Sequence, residues 1–188
     1  MHETSLGGTL RDYLTGEEVE DTTFEEFRQA LARLLVEEKG YPKERIHPKV
    51  MLTYAVEGQE FERALDFVVY GPDDKPMLLI LFCIGSVSSY VRETLCAAKL
   101  LDGGPVPLAL TTDTNDAVLL EVKSGESLRQ GMAAVLEWSE LLTLAEQTAV
   151  PELTLEQRDK LTRIFHAYSG FLFSCCNGAC PAAGPKKE

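Results

Sequence analysis

Residues 77–84 read Met77-Leu-Leu-Ile-Leu-Phe-Cys-Ile84, a run that no polar side chain interrupts. A strand with one face in water alternates apolar and polar residues, whereas a strand covered on both faces does not. The run therefore reads as a central strand, and helices must pack on both sides of its sheet. Before it stand Gly71-Pro72-Asp73-Asp74, a cluster of turn residues, and before that Phe61 to Tyr70 and Val50 to Val56. These two segments are rich in Val, Leu, Phe and Tyr and are split by Glu57-Gly58-Gln59, so the three runs predict a meander.

The pattern changes on either side. Phe24, Phe27, Leu31, Leu34 and Leu35 recur at helical spacing. Thr22-x-x-Glu25 or Thr23-x-x-Glu26 supplies a capping box at one end of this helix and Gly40 a stop at the other. Downstream, Val87, Tyr90, Val91, Leu95, Ala98 and Leu101 predict a second helix over 86–101, closed by Asp102-Gly103-Gly104-Pro105. Val106 to Thr111 and Ala117 to Val122 read as strands joined by the turn-rich residues 112–116. Helices follow at about 126–147 and 155–173, divided by Val150-Pro151. The order α-β-β-β-α-β-β-α-α defines an α/β fold with a mixed five-stranded sheet flanked by helices. Residues 1–20, with Gly7-Gly8, Gly16 and an acidic cluster, show no hydrophobic period and read as a poorly anchored lead-in. Residues 21–173 form one domain, and 174–188 a cysteine-containing tail.

Composition narrows the function. In 188 residues, 30 acids outweigh 18 Lys and Arg for a formal charge of −12, a field that repels phosphate backbones and anionic lipid. A protein partner suits such a surface better than DNA. No apolar run approaches the ~18–20 residues of a membrane span. The start Met-His-Glu-Thr-Ser lacks a basic region followed by an apolar one, so a cytoplasmic protein without a signal peptide is expected. Five cysteines, an odd number, are expected as free thiols or metal ligands.

The ordered string Leu34-Leu35-Val36-Glu37-Glu38-Lys39-Gly40-Tyr41-Pro42, then Ala64-Leu65-Asp66-Phe67-Val68-Val69-Tyr70, an Asp-Lys-Pro turn and Leu78-Leu79-Ile80-Leu81 resembles the N-terminal domain of type I restriction enzyme R subunits. It is more similar still to the small stand-alone bacterial proteins built on that domain, within the PD-(D/E)xK nuclease superfamily. The resemblance covers roughly residues 22–125 and implies a restriction-endonuclease-like core. Active members carry an Asp on the second core strand and Glu-x-Lys on the third. Residues i and i+2 of a strand share a face, so the carboxylates and the amine converge. The carboxylates hold Mg²⁺, which lowers the pKa of a bound water.

By that resemblance Asp66 stands at the metal-binding position, Phe82 replaces the Glu and Ile84 the Lys, and Glu37 matches an acid on the first helix. The family's Gln and Tyr are not recognisable among Arg92, Glu93, Thr94 and Ala98. The resemblance then implies the fold without the chemistry: an inactive domain with no cofactor that acts as an interaction or regulatory module. The rival is an active Mg²⁺-dependent DNA endonuclease in which Glu37, Glu62 or Glu93 completes the site beside Asp66. By strand parity Glu62 shares a face with Asp66, but it lies more than ~13 Å away along an extended strand. Parity also sets Arg63 on the opposite face, so it is not the obvious counter-ion; Asp66 must find hydrogen bonds, for instance from residues 86–89.

Two further patterns carry chemistry on paper. Asp116-Ala-Val-Leu-Leu-Glu121-Val122-Lys123 also spells a carboxylate followed by Glu-x-Lys, but its Asp lies on the same strand, so an exposed Glu121/Lys123 pair is expected. Cys175, Cys176 and Cys180 cluster three thiols that could ligate a soft metal. A structural zinc takes four ligands, and Cys83, Cys96 or His166 would have to supply the last. An oxidisable tail is the alternative.

Overall fold

The computed structural model describes the backbone of residues 5–83, 85–175 and 184–185, and side chains as far as Ser169. After a hairpin of β1 (Ser5–Arg11) and β2 (Glu18–Thr22) comes α1 (Thr23–Arg33), which continues as a π-helical turn, Leu34–Glu38. The sheet follows: β3 (Ile46–Val56), β4 (Gln59–Tyr70) and β5 (Pro76–Phe82), then α2 (Val87–Leu100), β6 (Leu108–Thr112), β7 (Ala117–Glu121) and β8 (Ser127–Gln130). The chain ends in α3 (Trp138–Gln147), α4 (Leu155–Cys175) and the short β9 (Gly184–Pro185), which pairs with β4. Along the sheet the order is β3-β4-β5-β6-β7-β8.

Every neighbouring pair is antiparallel except β5 and β6, where Leu78 to Phe82 run beside Leu108 to Thr112 in parallel. A parallel pair needs a crossover, and α2 supplies it. The apolar run of β5 is covered on both faces as its composition requires. Leu79, Leu81 and Cys83 join the core beneath α2 and α4, whereas Leu78 and Ile80 join the one beneath α1 and α3. Leu79 and Ile80 are fully buried. Thr22 caps α1 by accepting the Glu25 N–H at 3.0 Å, which selects the first of the two capping boxes.

The structure departs from the sequence expectation in three places. Of residues 1–20, read as a lead-in, the part described from Ser5 onward belongs to the β1–β2 hairpin, which runs on to Thr22. β1 is almost entirely exposed, and β2, though partly covered, has Val19 as its one apolar residue, so neither carries a hydrophobic alternation. Polar contacts hold them instead: the Asp12 carboxylate accepts the N–H groups of Leu14 and Thr15 at 2.9 and 2.7 Å, and Arg11 Nε donates to the Gly16 carbonyl at 2.8 Å. The helix predicted over 126–147 is confined to α3. Before it Ser127–Gln130 pair with β7 as a fully exposed edge strand, giving the sheet a sixth member on its main path. Gly131, at φ +74°, turns the chain out of that strand.

The third departure is a switch of face within β3 and β4. Leu52, Tyr54, Phe61 and Leu65 point to the α2/α4 side, as does Val68, while Phe67 and Val69 point to the α1/α3 side. Two residues, Asp66 and Phe67, thus separate Leu65 from Val68 on one face where regular pleating allows one. The pairing of β3 with β4 skips Lys49 and Asp66, between Pro48↔Phe67 and Val50↔Leu65, and Lys49 has φ +52°. Asp66 therefore sits at a kink in the sheet.

Candidate functional site

At the kink, β4 and β5 part company. Their pairing is registered from Phe67↔Ile80 toward the turn, and just beyond it the Asp66 side chain enters the gap. Its Oδ2 accepts the Phe82 N–H at 2.8 Å, and its Oδ1 takes the Nε of Arg28 at 3.3 Å. Arg28 also donates through Nη1 to Glu25, one helical turn back on α1. The same Glu25 oxygen meets Lys49 Nζ at 2.9 Å, and its other oxygen accepts from Gln29 Nε2 at 2.7 Å. Gln29 reaches on to Asp12 Oδ2 at 2.8 Å and accepts the Tyr13 N–H at 2.6 Å. One polar chain thus links the hairpin, α1, β3, β4 and β5.

Glu25, Gln29 and Asp12 are buried. Burial opposes the charge of Asp12, but hydrogen bonds from Thr15, Gln29 and Leu14 outweigh it and hold this carboxyl below its ordinary range. The network includes three carboxylates and two cations, so most of its charge is compensated internally.

Glu37 is exposed and interacts with the Tyr13 phenol, and it is not brought to Asp66. The helical residues that reach Asp66's neighbourhood are Arg28 and Glu25; Glu37 lies nine positions beyond Arg28, ~13 Å along a helical axis. Phe82 turns its ring toward α1, stacked on Phe27 at 5.4 Å and tilted against Phe24 at 6.1 Å. Ile84 lies outside the described residues, as do Cys176, Cys180 and the side chain of Cys175.

On the other side of the sheet, Arg63 pairs with Glu93 of α2 at 3.5 Å. Glu93 is 2% exposed, and burial raises its carboxyl above the ordinary range; Arg63 works against that shift and Asp66 adds to it. Parity correctly kept Arg63 off Asp66, but the hydrogen bonds to Asp66 come from Arg28 and the Phe82 N–H rather than from residues 86–89. Glu62 faces Thr53 across the β3–β4 ladder, four residues before Asp66. Glu121 accepts from Ser124 at 2.6 Å and pairs with Leu108, at the opposite end of β6 from Thr112, which pairs with Phe82. Glu121 is therefore not at Asp66.

This donor set does not fit the Mg²⁺ that the resemblance implies. A small hard cation needs several oxygens with free lone pairs or room for its waters. Asp66 spends one oxygen on a backbone N–H and the other on a guanidinium, and the neighbouring side chain on β5 is an aromatic ring. No three His, Cys, Asp or Glu among the described residues are grouped to hold a metal. Cys83 and Cys96 are buried free thiols, each pushed up to about 11 chiefly by burial, far from the thiolate a soft metal requires. No helix of the described residues is long and apolar enough to cross a membrane.

A mixed sheet with a parallel β5–β6 pair, a crossover helix between them, and an acid at the point where β4 and β5 separate defines a restriction-endonuclease-like α/β domain. The profile of the type I restriction enzyme R protein N terminus matches residues 23–135, and the chain belongs to that family. The hairpin, α3 and α4 lie outside the matched span. Among curated proteins no sequence matches. A solved structure described as a cryoEM structure of a DrdV–DNA complex is similar over 66% of this chain at 20% identity, with a TM-score of 0.40. The chain spans 12% of that much longer one.

Sequence reasoning singled out Asp66 but did not anticipate Arg28, Glu25 and Lys49 as its surroundings. Glu25 and Arg28, three apart on a helix, were readable as a same-face pair. Nothing local marked Lys49, because its role depends on the kink.

Proposed function

We propose that this member of the R-protein N-terminal family has lost nuclease chemistry and serves as an interaction module for a protein partner. The observation that carries the reading is the state of Asp66, whose two oxygens are bonded to Arg28 and to the Phe82 N–H. Hydrolysis of a phosphodiester by this architecture requires a carboxylate pair around a metal and an amine or equivalent to position water. Glu25, which shares Arg28 with Asp66, is itself committed to Arg28, Lys49 and Gln29. The charge of −12 supports a basic protein surface as the partner over a polyanion.

The test is incubation of the purified chain with plasmid and linear DNA in Mg²⁺ or Mn²⁺, beside Asp66→Ala. The reading expects no cleavage above a buffer control for either protein. Cleavage by the unmodified chain that disappears in Asp66→Ala would overturn it.

A further inference from the structure

We propose that Arg28 is a built-in cation, holding the place between Glu25 and Asp66 that a divalent ion would take and thereby closing Asp66 to metal. The inference deepens the reading of a silenced domain and rests on it. A guanidinium presents several donors in a planar fork, and here two different nitrogens serve two different carboxylates: Nη1 meets Glu25, and Nε meets Asp66 at 3.3 Å. The side chain is 12% exposed, so solvent and salt screen its charge little.

Each carboxylate also has a further donor. Lys49 and Gln29 complete Glu25, and the Phe82 N–H completes Asp66. The Phe82 ring, packed against both Phe24 and Phe27, makes this end of β5 apolar, poor surroundings for the water shell of a hard ion. The position of Arg28 is also braced from outside the family's matched span. Asp12 of the hairpin holds Gln29, one residue further along α1, and Gln29 holds Glu25. The hairpin thus helps to keep the fork aimed.

The acidic surface will bind Mn²⁺ loosely at many points, so the quantity that matters is the part of the binding that depends on Asp66. It is obtained from Mn²⁺ titrations followed by electron paramagnetic resonance, with the full chain compared in each background with its Asp66→Asn counterpart. In the unmodified chain this component is expected to be absent. In Arg28→Met it is expected to appear, with Mn²⁺ affinity raised about thirtyfold, the ~2 kcal/mol by which a unit charge ~4 Å away repels a divalent ion even at the dielectric of water. Arg28→Lys keeps the charge and is expected to stay closed.

Circular dichroism reports whether each variant is folded, and Arg28→Gln replaces Arg28→Met if the latter is not. Asp66-dependent binding in the unmodified chain, its absence in the folded Arg28→Met or Arg28→Gln chain, or equal binding by Arg28→Lys and Arg28→Met would each overturn the assignment. DNA cleavage by the unmodified chain would instead strike the underlying reading, which separates the two failures.

Discussion

Replacing Glu25 by alanine removes the carboxylate on which two cations and an amide converge. Its side chain is 4% exposed. Deleting one partner of a buried ion pair typically costs ~3–5 kcal/mol, because the other charge is left without compensation in a poor solvent. Two features set the expectation at the low end of that range. Arg28 keeps Asp66 as a second partner, and Lys49, with its side chain 43% exposed, turns to water. The expected loss is therefore ~3 kcal/mol, which for a chain of this length lowers Tm by ~6–12 °C. Urea unfolding followed by circular dichroism measures it, with an unchanged slope showing that the folded state remains compact. A buried network is screened little by salt, so the loss should persist at about 0.5 M NaCl, where a surface pair such as Arg163 with Asp159 would contribute almost nothing. Hydrogen exchange should also quicken in residues 5–22, since Gln29 loses the acceptor that steadies its bridge to Asp12. A loss below ~1 kcal/mol, the size of an exposed pair, or one that vanishes in salt would refute the view of Glu25 as the buried hub.

Asp12 makes the hairpin's attachment depend on pH. Its carboxyl is lowered in the folded state, so its ionised form stabilises the fold; the contribution is complete above the unfolded value, ~3.9, and is lost as pH falls through the folded value. Asp12→Asn should be less stable than the unmodified chain at neutral pH and converge with it in acid, and urea unfolding at a series of pH values checks this; a gap that stays constant would count against it. The buried thiols of Cys83 and Cys96, held near 11, should resist iodoacetamide at pH 8 in the folded chain and react on unfolding. Mass spectrometry of the alkylated peptides reads the outcome, and prompt labelling of either cysteine in native buffer would contradict their burial.

The fold was largely legible because its main signals are local. The uninterrupted apolar run of β5 reported a strand with two covers, and α1/α3 and α2/α4 provide them. Thr22-x-x-Glu25 marked the start of α1, and the three-strand meander followed from turn residues. What escaped has little hydrophobic patterning. β8 is four exposed residues at a sheet edge, and the β1–β2 hairpin is anchored at its turn, by Asp12 to Gln29 and by Tyr13 and Leu14 against the core, not by a periodic apolar face along its strands. A reading built on apolar periodicity has nothing to register in such segments.

The site was harder for a physical reason. Inferring which side chains share a face assumes unbroken pleating, and β3 and β4 break it at Lys49 and Asp66, the positions that matter. Counts carried through Asp66 into the rest of β4 cross that break, so Leu65 and Val68 share a face although an odd number of positions separates them. The same kink turns Lys49 toward Glu25, and the opening of the β4–β5 ladder frees the Phe82 N–H to donate to Asp66. An acid left alone at such a point would be an expensive orphan. The chain compensates it with an arginine from α1 and a backbone donor, and both are positioned by tertiary structure rather than by any motif. The carboxylate at this break is thus held by an ion-pair network whose members come from α1, β3 and β5, and no local motif in the sequence joins them.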